Sequence, residues 1–186
     1  LDEVNHSSQS ADKYYQTKGG YESLIVGCYS NLKNIYNTTT YQIFTQQGTD
    51  VFTQNYPTEV AAMNQYTTTY QSNNGTIYAM WSSYFNALNN VNAAIDRSKS
   101  VILKTDDPDG IEPSALTQLV AEAKALRAWY LFEIVRNWGQ GPLKINESKE
   151  PSYTVEYSNG AAFYQQIFTD LEEAISVLPW RQTGSN

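Results

Sequence analysis

The sequence predicts an all-α fold of antiparallel helix pairs joined by long irregular loops. Four segments repeat apolar residues at the three- and four-residue spacing of a helix face, and polar or Gly- and Pro-containing stretches separate them. We place the helices at about residues 13–36, 76–98, 114–138 and 160–178. The connections at about 37–75 and 139–159 are expected to be irregular, with a short hairpin as one option in the second.

The first, second and fourth segments each show an apolar stripe. It comprises Tyr21, Leu24, Ile25, Cys28, Leu32 and Ile35 in the first, Ile77, Met80, Trp81, Tyr84, Leu88, Val91 and Ile95 in the second, and Tyr164, Ile167, Phe168, Leu171, Ile175 and Leu178 in the fourth. Such stripes are typical of amphipathic helices that bury one face. Because Cys28 lies on the apolar face, we expect a small buried side chain rather than a reactive thiol.

The third segment differs because apolar residues surround it almost completely. Between residues 119 and 135, the charged side chains are Glu122, Lys124, Arg127 and Glu133. A helix that is apolar all round is buried on all sides, so we expect Leu126→Ala and Trp129→Ala to be destabilising. At 100° per residue, Glu122, Glu133 and Arg136 point to similar sides of this helix. We interpret them as a buried charge cluster that fixes helix packing, in preference to catalytic carboxylates.

The composition excludes several classes of function. Charged residues are 17% of the 186 residues, and 12 basic against 19 acidic residues give a net charge of −7. An acidic chain without a basic run is a poor nucleic-acid binder, because it cannot replace the counterions around phosphates. One cysteine (Cys28) and one histidine (His6) leave no intrachain disulfide and no Cys-based zinc site. No phosphate-binding glycine loop or GxSxG motif occurs, so we expect no enzyme activity, no cofactor and no metal.

The polar segment at about 37–75 is the best candidate for a binding site. It is long, rich in Asn, Gln and Thr, and still aromatic, and binding residues concentrate on such loops of a rigid scaffold. Aromatic faces stack on the C–H faces of sugar rings, and amides donate and accept hydrogen bonds with hydroxyls. We predict that Tyr66 and Tyr70 form a stacking platform and that Asn73 and Asn74 contact hydroxyls. The alternative is that these tyrosines only pin the loop to the helices.

A family resemblance lies in the third helix and the turn that follows it. The two stretches read AEAKALRAWYLF at 121–132 and VRNWGQGPL at 135–143. This pattern resembles the hallmark of the SusD/RagB family. It consists of an acidic residue, then Leu-Arg-Ala, then aromatic residues, and finally a Trp-Gly turn that leads into Pro-Leu. Three further sets of residues resemble the family in order and spacing. They are LDEV at 1–4, then Trp81, Tyr84, Asn90 and Ile95, and then Tyr164, Ile167, Asp170, Leu171, Ala174 and Leu178. The resemblance therefore covers essentially the whole chain.

The resemblance implies a fold, a location and a function. The fold is tetratricopeptide-like helix pairs with irregular loops that form the ligand site. The protein is implied to be a non-enzymatic lipoprotein of the Bacteroidetes outer membrane, on its extracellular face, held by an N-terminal lipid anchor that is absent from this chain. It binds oligosaccharide and delivers it to a SusC-type TonB-dependent transporter. Family members are longer, so residues 1–186 are expected to be the N-terminal part of a SusD-like helical domain that is truncated at the C-terminus.

Three other functions stay open from the sequence. An oligopeptide-binding member of the same family favours charged and backbone-directed contacts over stacked aromatic rings. A helical-repeat protein-interaction scaffold would present a broad apolar patch and no aromatic platform. An enzyme such as a glycosidase needs two carboxylates across a cleft, for which the sequence offers no support.

Overall fold

The computed structural model describes residues 11–52, 59–67, 71, 73–150, 152 and 154–180. Within them the chain forms seven α-helices and one short 3-10 helix. These are α1 (Ala11–Tyr14), α2 (Lys18–Tyr36), α3 (Thr39–Gln46), α4 (Glu59–Gln65), α5 (Gly75–Arg97) with the 3-10 turn Ser98–Ser100, α6 (Pro113–Trp138) and α7 (Gly160–Val177). None of these helices is both long enough and apolar enough to cross a bilayer. The all-α prediction is confirmed, and α2, α5, α6 and α7 are the four predicted helices.

The first predicted helix is divided by a side-chain cap. The Thr17 hydroxyl donates to the carbonyl of Tyr14 at 2.8 Å, which ends α1, and its oxygen accepts the Gly20 N–H at 3.1 Å, which begins α2. A threonine that satisfies an otherwise unpaired N–H at a helix start is a standard N-cap. The apolar spacing continues across this break, so periodicity alone did not reveal it.

The segment at about 37–75 contains more regular structure than predicted. Helix α3 begins at an N-cap in which the Thr38 hydroxyl accepts the Tyr41 N–H at 3.1 Å, and the rings of Tyr36 and Tyr41 meet edge to face at 4.7 Å. None of the α3 residues is buried. Because α3 is only eight residues long and buries none of them, its sequence offers no sustained stripe of the kind that predicted the four long helices.

Among its described residues, the second irregular connection forms no hairpin. Gly141 and Ser158 make one isolated antiparallel bridge, with N···O distances of 3.2 and 2.8 Å. Side chains take the carbonyls between these residues instead: Asn92 donates to Lys144 and Asn146, and Arg127 donates to Ile145. In the described part of this connection a second strand therefore has no free row of carbonyls to pair with, and the optional hairpin is not found there.

Helices α6 and α7 form an antiparallel pair. Arg127 pairs with Asp170 and Lys124 pairs with Glu173, so residues later in one helix face residues earlier in the other. The buried residues of α6 cover about 240° of its circumference at 100° per residue. The predicted burial is confirmed for Leu126, but Trp129 lies on the open side and is 45% exposed.

Helix α7 has two apolar faces, and only one of them is covered. Phe163, Ile167 and Ala174 are buried. The other face is formed by Tyr164, Phe168, Leu171 and Ile175, whose side chains are 37–73% exposed. The predicted stripe ran across both faces, so the expectation that its residues all pack inside was wrong for this exposed half. An apolar arc of this width exceeds what one neighbouring helix covers.

The chain divides into two compact units. The first comprises residues 1–29 and 88–186, and its core includes Tyr21, Cys28, Leu88, Val91, Tyr130, Leu131, Ile134 and Phe163. The second comprises residues 30–87, and its buried residues include Ile35, Ala62, Met63, Met80 and Tyr84. The predicted site residues belong to the second unit.

Candidate functional site

Tyr66 lies directly after α4 in a left-handed backbone conformation, with φ of 50°. The Thr67 N–H donates to the Ala62 carbonyl at 3.2 Å. This bond belongs to a helix-terminating Schellman motif, in which glycine usually occupies the left-handed position. A non-glycine residue held there stores about 1–3 kcal/mol of backbone strain, and such strain concentrates at functional sites.

The Tyr66 hydroxyl is anchored to the turn that follows α3. It donates to the Gly48 carbonyl at 3.1 Å, and the Gly48 N–H donates to Asn64 Oδ1 at 3.4 Å. Gly48 has φ of 81°, and a Cβ atom at this position would lie 2.5 Å from the tyrosine oxygen. The turn therefore requires glycine. Despite this anchor Tyr66 is 66% exposed, so the ring is held at its hydroxyl end and presents its surface to solvent.

The two predicted asparagines occupy different environments. Asn73 is exposed in the turn before α5. Asn74 is 5% exposed, and its Oδ1 accepts the N–H groups of Thr76 at 3.0 Å and Ile77 at 3.4 Å. Asn74 is therefore the N-cap of α5, a structural role that its side-chain oxygen performs without any ligand. Tyr70 lies outside the described residues, so the predicted pairing of its ring with Tyr66 stays a prediction.

Sequence reasoning missed two further exposed aromatic residues of the second unit. Tyr78, on the first turn of α5, is 68% exposed, and Phe52 is also largely exposed. The signal for Tyr78 was available, because it stands next to the apolar stripe of α5 and not on it. An aromatic residue off the stripe has no place in the core and is a better candidate for binding than one on it.

Charge is nearly absent from the second unit. Among its 58 residues, 30–87, the charged ones are Lys33, Asp50 and Glu59, and none is arginine. Thr, Asn, Gln and Ser together make up 29 of these residues. The unit therefore offers many neutral hydrogen-bonding groups, together with exposed aromatic rings.

The first unit contains a cleft of about 460 Å³ with charged walls. Arg97 occupies its centre, where it pairs with Glu147 at 2.7 Å and Asp12 at 2.8 Å and lies over the Tyr15 ring at 5.3 Å. The hydrogen bonds that Arg97 donates to the Glu147 carboxylate raise the pKa of Arg97 above its ordinary value. The guanidinium is thus already committed to protein carboxylates, which argues for a structural tie between α1, α5 and the 143–149 segment.

The predicted cluster of Glu122, Glu133 and Arg136 does not form. Glu133 is buried and accepts a hydrogen bond from Arg136 at 2.8 Å, whereas Glu122 accepts one from the Tyr29 hydroxyl at 3.0 Å. The two acids share a direction, but eleven residues separate them by about 16 Å along the helix. The prediction used only the direction of the side chains around the helix and not their distance along its axis.

A buried ion pair that the sequence did not reveal links α6 to α7. Arg127 donates to both carboxylate oxygens of Asp170, at 2.8 and 2.6 Å, and both residues are buried. Gln166 donates to Asp170 at 3.0 Å, and Arg127 also donates to the Ile145 carbonyl. Since the pair is fully hydrogen-bonded and enclosed, it fixes helix packing and leaves no group for chemistry on a ligand.

Nucleophilic and metal chemistry find little support among the described side chains. The Cys28 thiol is buried, and burial raises its pKa to about 12, so it stays protonated at neutral pH. His6 lies outside the described residues. Within the described part of the chain, no group of three or more His, Cys, Asp or Glu residues is placed to hold a metal ion.

The chain belongs to a SusD-like family, SusD-like_3, described as "Starch-binding associating with outer membrane", whose family model matches residues 1–183. SusD-like protein P25 of Formosa agariphila is 25% identical to it over 150 residues, which are 76% of this chain and 27% of that protein. The predicted membership of the SusD/RagB family is confirmed, and the family is one that is associated with the outer membrane.

Solved structures share the fold. A SusD superfamily protein of Bacteroides vulgatus matches 91% of this chain and 36% of its own, with a TM-score of 0.74 and 21% identity. A laminarin-binding SusD-like protein matches 89% of this chain and 35% of its own, with a TM-score of 0.67 and 21% identity. This chain therefore spans about a quarter to a third of the length of these relatives.

Proposed function

We propose that this chain is the oligosaccharide-binding part of a non-enzymatic outer-membrane lipoprotein. On this proposal the protein faces the outside of the cell and delivers its glycan to a SusC-type TonB-dependent transporter. The observation that carries the proposal is Tyr66: its ring is exposed, yet its hydroxyl is fixed to Gly48 and its backbone is strained. The ring is held in place and exposed on a residue whose backbone conformation is unfavourable. Such a ring fits a stacking platform for a sugar.

The remaining site residues take distinct roles in this proposal. Tyr70 supplies a second ring and Asn73 a hydrogen-bonding amide, while Asn74 fixes the start of α5 beside Asn73. Tyr78 adds a further exposed ring in the same unit. Stacking on a ring contributes about 1–3 kcal/mol by analogy with base–aromatic stacking, so two or three such contacts are enough for specific binding.

The placement of two acidic residues supports binding without turnover. Asp170 and Glu133 are each buried and paired with arginine. The hydrolysis of a glycosidic bond needs an acid and a base that both reach the sugar. Neither of these two carboxylates is open to a ligand.

The direct test is an array of oligosaccharides beside a panel of peptides, followed by calorimetry on the strongest hits. We expect saturable binding to oligosaccharide, no binding to peptides and no products after prolonged incubation. Peptide binding alone would favour the oligopeptide-binding alternative. Turnover that one carboxylate substitution abolishes would reject the non-enzymatic assignment.

A second candidate function is a helical scaffold that binds another protein. The exposed apolar face of α7, formed by Tyr164, Phe168, Leu171 and Ile175, favours it. The substitutions Phe168→Ser and Tyr66→Gly separate the two candidates. Loss of oligosaccharide binding in Tyr66→Gly alone supports the first function. An effect of Phe168→Ser alone, on the binding of a protein ligand, supports the second.

A further inference from the structure

The second unit differs from the rest of the chain in charge. Its charges are one Lys, one Asp and one Glu, a net charge of 1 − 2 = −1, whereas the chain as a whole holds 12 basic and 19 acidic residues. From this we infer that the saccharide bound by the second unit is uncharged, and that carboxylated or sulfated glycans are rejected. The inference rests on the proposed function, because it names the class of glycan that the same site takes.

Recognition of an anionic sugar needs cationic partners, of which this unit has one lysine and no arginine. Carboxylates and sulfates are bound in proteins by the planar fork of arginine or by lysine ammonium groups. The unit has no arginine, and its one lysine, Lys33, is exposed near the end of α2. An anionic group that is removed from water without a charged partner loses far more solvation free energy than a neutral hydroxyl does.

The ring of Tyr66 adds a repulsive term for anions. Its hydroxyl donates to the Gly48 carbonyl at 3.1 Å, so the ring meets a ligand through its faces. Aromatic faces carry the negative part of the ring quadrupole, which attracts the C–H groups of a sugar and repels carboxylate or sulfate. Asp50, exposed two residues after Gly48, places a further negative charge in the same turn.

Neutral hydrogen-bonding groups match the hydroxyls of an uncharged sugar. Thr, Asn, Gln and Ser are half of the unit, and their side chains both donate and accept. Hydroxyl recognition of this kind is insensitive to ionic strength, whereas ion-pair recognition weakens as salt shortens the Debye length. Selectivity and salt dependence are therefore two independent readouts of the inference.

The experiment compares matched oligosaccharides with the intact protein. Maltohexaose and laminarihexaose are titrated beside the same glucans oxidised to carboxylates at C6, at 20 and 300 mM NaCl, together with the tightest uncharged and anionic hits of the array. We expect the oxidised forms to bind at least tenfold more weakly, and the affinity of uncharged sugars to change less than twofold with salt. Tighter, salt-sensitive binding of an oxidised or sulfated glycan would overturn the inference and leave the proposed function intact. Binding of no saccharide would reject both.

A charge variant tests whether this turn controls the selectivity. Asp50→Lys replaces a negative by a positive charge two residues after Gly48, a change of +2, and Asp106→Lys makes the same change on an exposed turn of the first unit. We expect Asp50→Lys to reduce several-fold the difference in affinity between the uncharged and the oxidised glucan. Asp106→Lys should leave both affinities as in the parent. Equal effects of the two variants would place the selectivity outside the Gly48 turn.

Discussion

Tyr66 stands where a glycine would give a more relaxed helix end. Its left-handed backbone, with φ of 50°, stores strain that the hydrogen bond to Gly48 offsets in part. A residue that is kept against the local backbone preference indicates a role for its side chain. Either that role is to tie the two turns together, or it is to hold a ring in front of a ligand.

We expect Tyr66→Gly to leave the free energy of unfolding within about 1 kcal/mol of the parent. The substitution removes one hydrogen bond, worth about 0.5–1.5 kcal/mol, and relieves a strain of similar size. Urea denaturation measures the difference, and Tyr66→Ala serves as the control because alanine keeps the strain and loses the bond. A much larger loss in Tyr66→Gly than in Tyr66→Ala would contradict this account of the backbone.

The ion pair of Arg127 and Asp170 is the most consequential buried contact of the first unit. We expect Asp170→Ala to lower the free energy of unfolding by about 3–5 kcal/mol, since it leaves the arginine charge buried without a partner. Asp12→Ala removes another aspartate–arginine contact, but the Asp12 side chain is 73% exposed, so its loss should be about 0–1 kcal/mol. Similar denaturation midpoints for the two variants would show that the buried pair is not decisive.

At the level of elements, helix α6 is both the family hallmark and the packing centre of the first unit. Leu126 points into the core, whereas Trp129, one turn further on, is 45% exposed. We expect Leu126→Ala to cost about 2–5 kcal/mol and Trp129→Ala about 1 kcal/mol. Chemical denaturation of both variants measures this contrast, and the reverse order would mean that α6 is rotated about its axis.

Helix α2 makes the fold sensitive to alkali. Burial raises the pKa of Cys28 and of Tyr29 to about 12, and the nearby Glu122 carboxylate adds to the shift of Tyr29. Burial also raises the pKa of Tyr21, whose hydroxyl donates to the Ala94 carbonyl. In the unfolded chain these groups lose their protons near pH 8.5–10, so above that range ionisation favours unfolding. We expect a constant melting temperature up to about pH 8.5 and a steady fall as the pH rises towards 12.

Cys28→Ala tests the contribution of the thiol to this alkaline sensitivity. The variant should begin to lose stability at a higher pH than the parent, because tyrosine ionises later than cysteine in the unfolded chain. Circular dichroism melts at pH 8, 9, 10 and 11 follow both proteins. A melting temperature of the parent that rises above pH 9 would contradict the direction of these pKa shifts.

The four long helices were predictable because each buries a face at helical spacing, as Tyr21, Ile25 and Cys28 do in α2. The contact of Arg127 with Asp170 was not, since 43 residues separate the two and only the antiparallel packing of α6 on α7 joins them. Helix α3 was missed because it buries nothing. The composition of the candidate site could be predicted from the sequence. The capping role of Asn74 and the exposure of the Tyr78 ring depend on the backbone geometry, which only the structure shows.

Over the whole molecule, charge and chemistry are divided between the two units. The first unit contains the buried ion pairs and the hallmark helix, and the second is nearly free of charged residues and rich in neutral polar ones. Exposed aromatic rings occur in both units, Trp129 and Phe168 in the first and Tyr66 and Tyr78 in the second. What sets the second unit apart as a surface for an uncharged ligand is therefore its low charge, and not its aromatic rings alone. The division also explains why the family motif at 121–143 carries little information about the glycan.

On the proposed function, oligosaccharide binds at the Tyr66 ring. Calorimetric titration of the tightest oligosaccharide from the array into the parent and into Tyr66→Gly tests it most directly, with melting temperatures recorded for both proteins. We expect the dissociation constant to rise tenfold or more, which corresponds to the loss of about 1.4 kcal/mol or more of stacking energy, at an unchanged melting temperature. Equal affinities in two equally stable proteins would contradict the claim and place the site elsewhere.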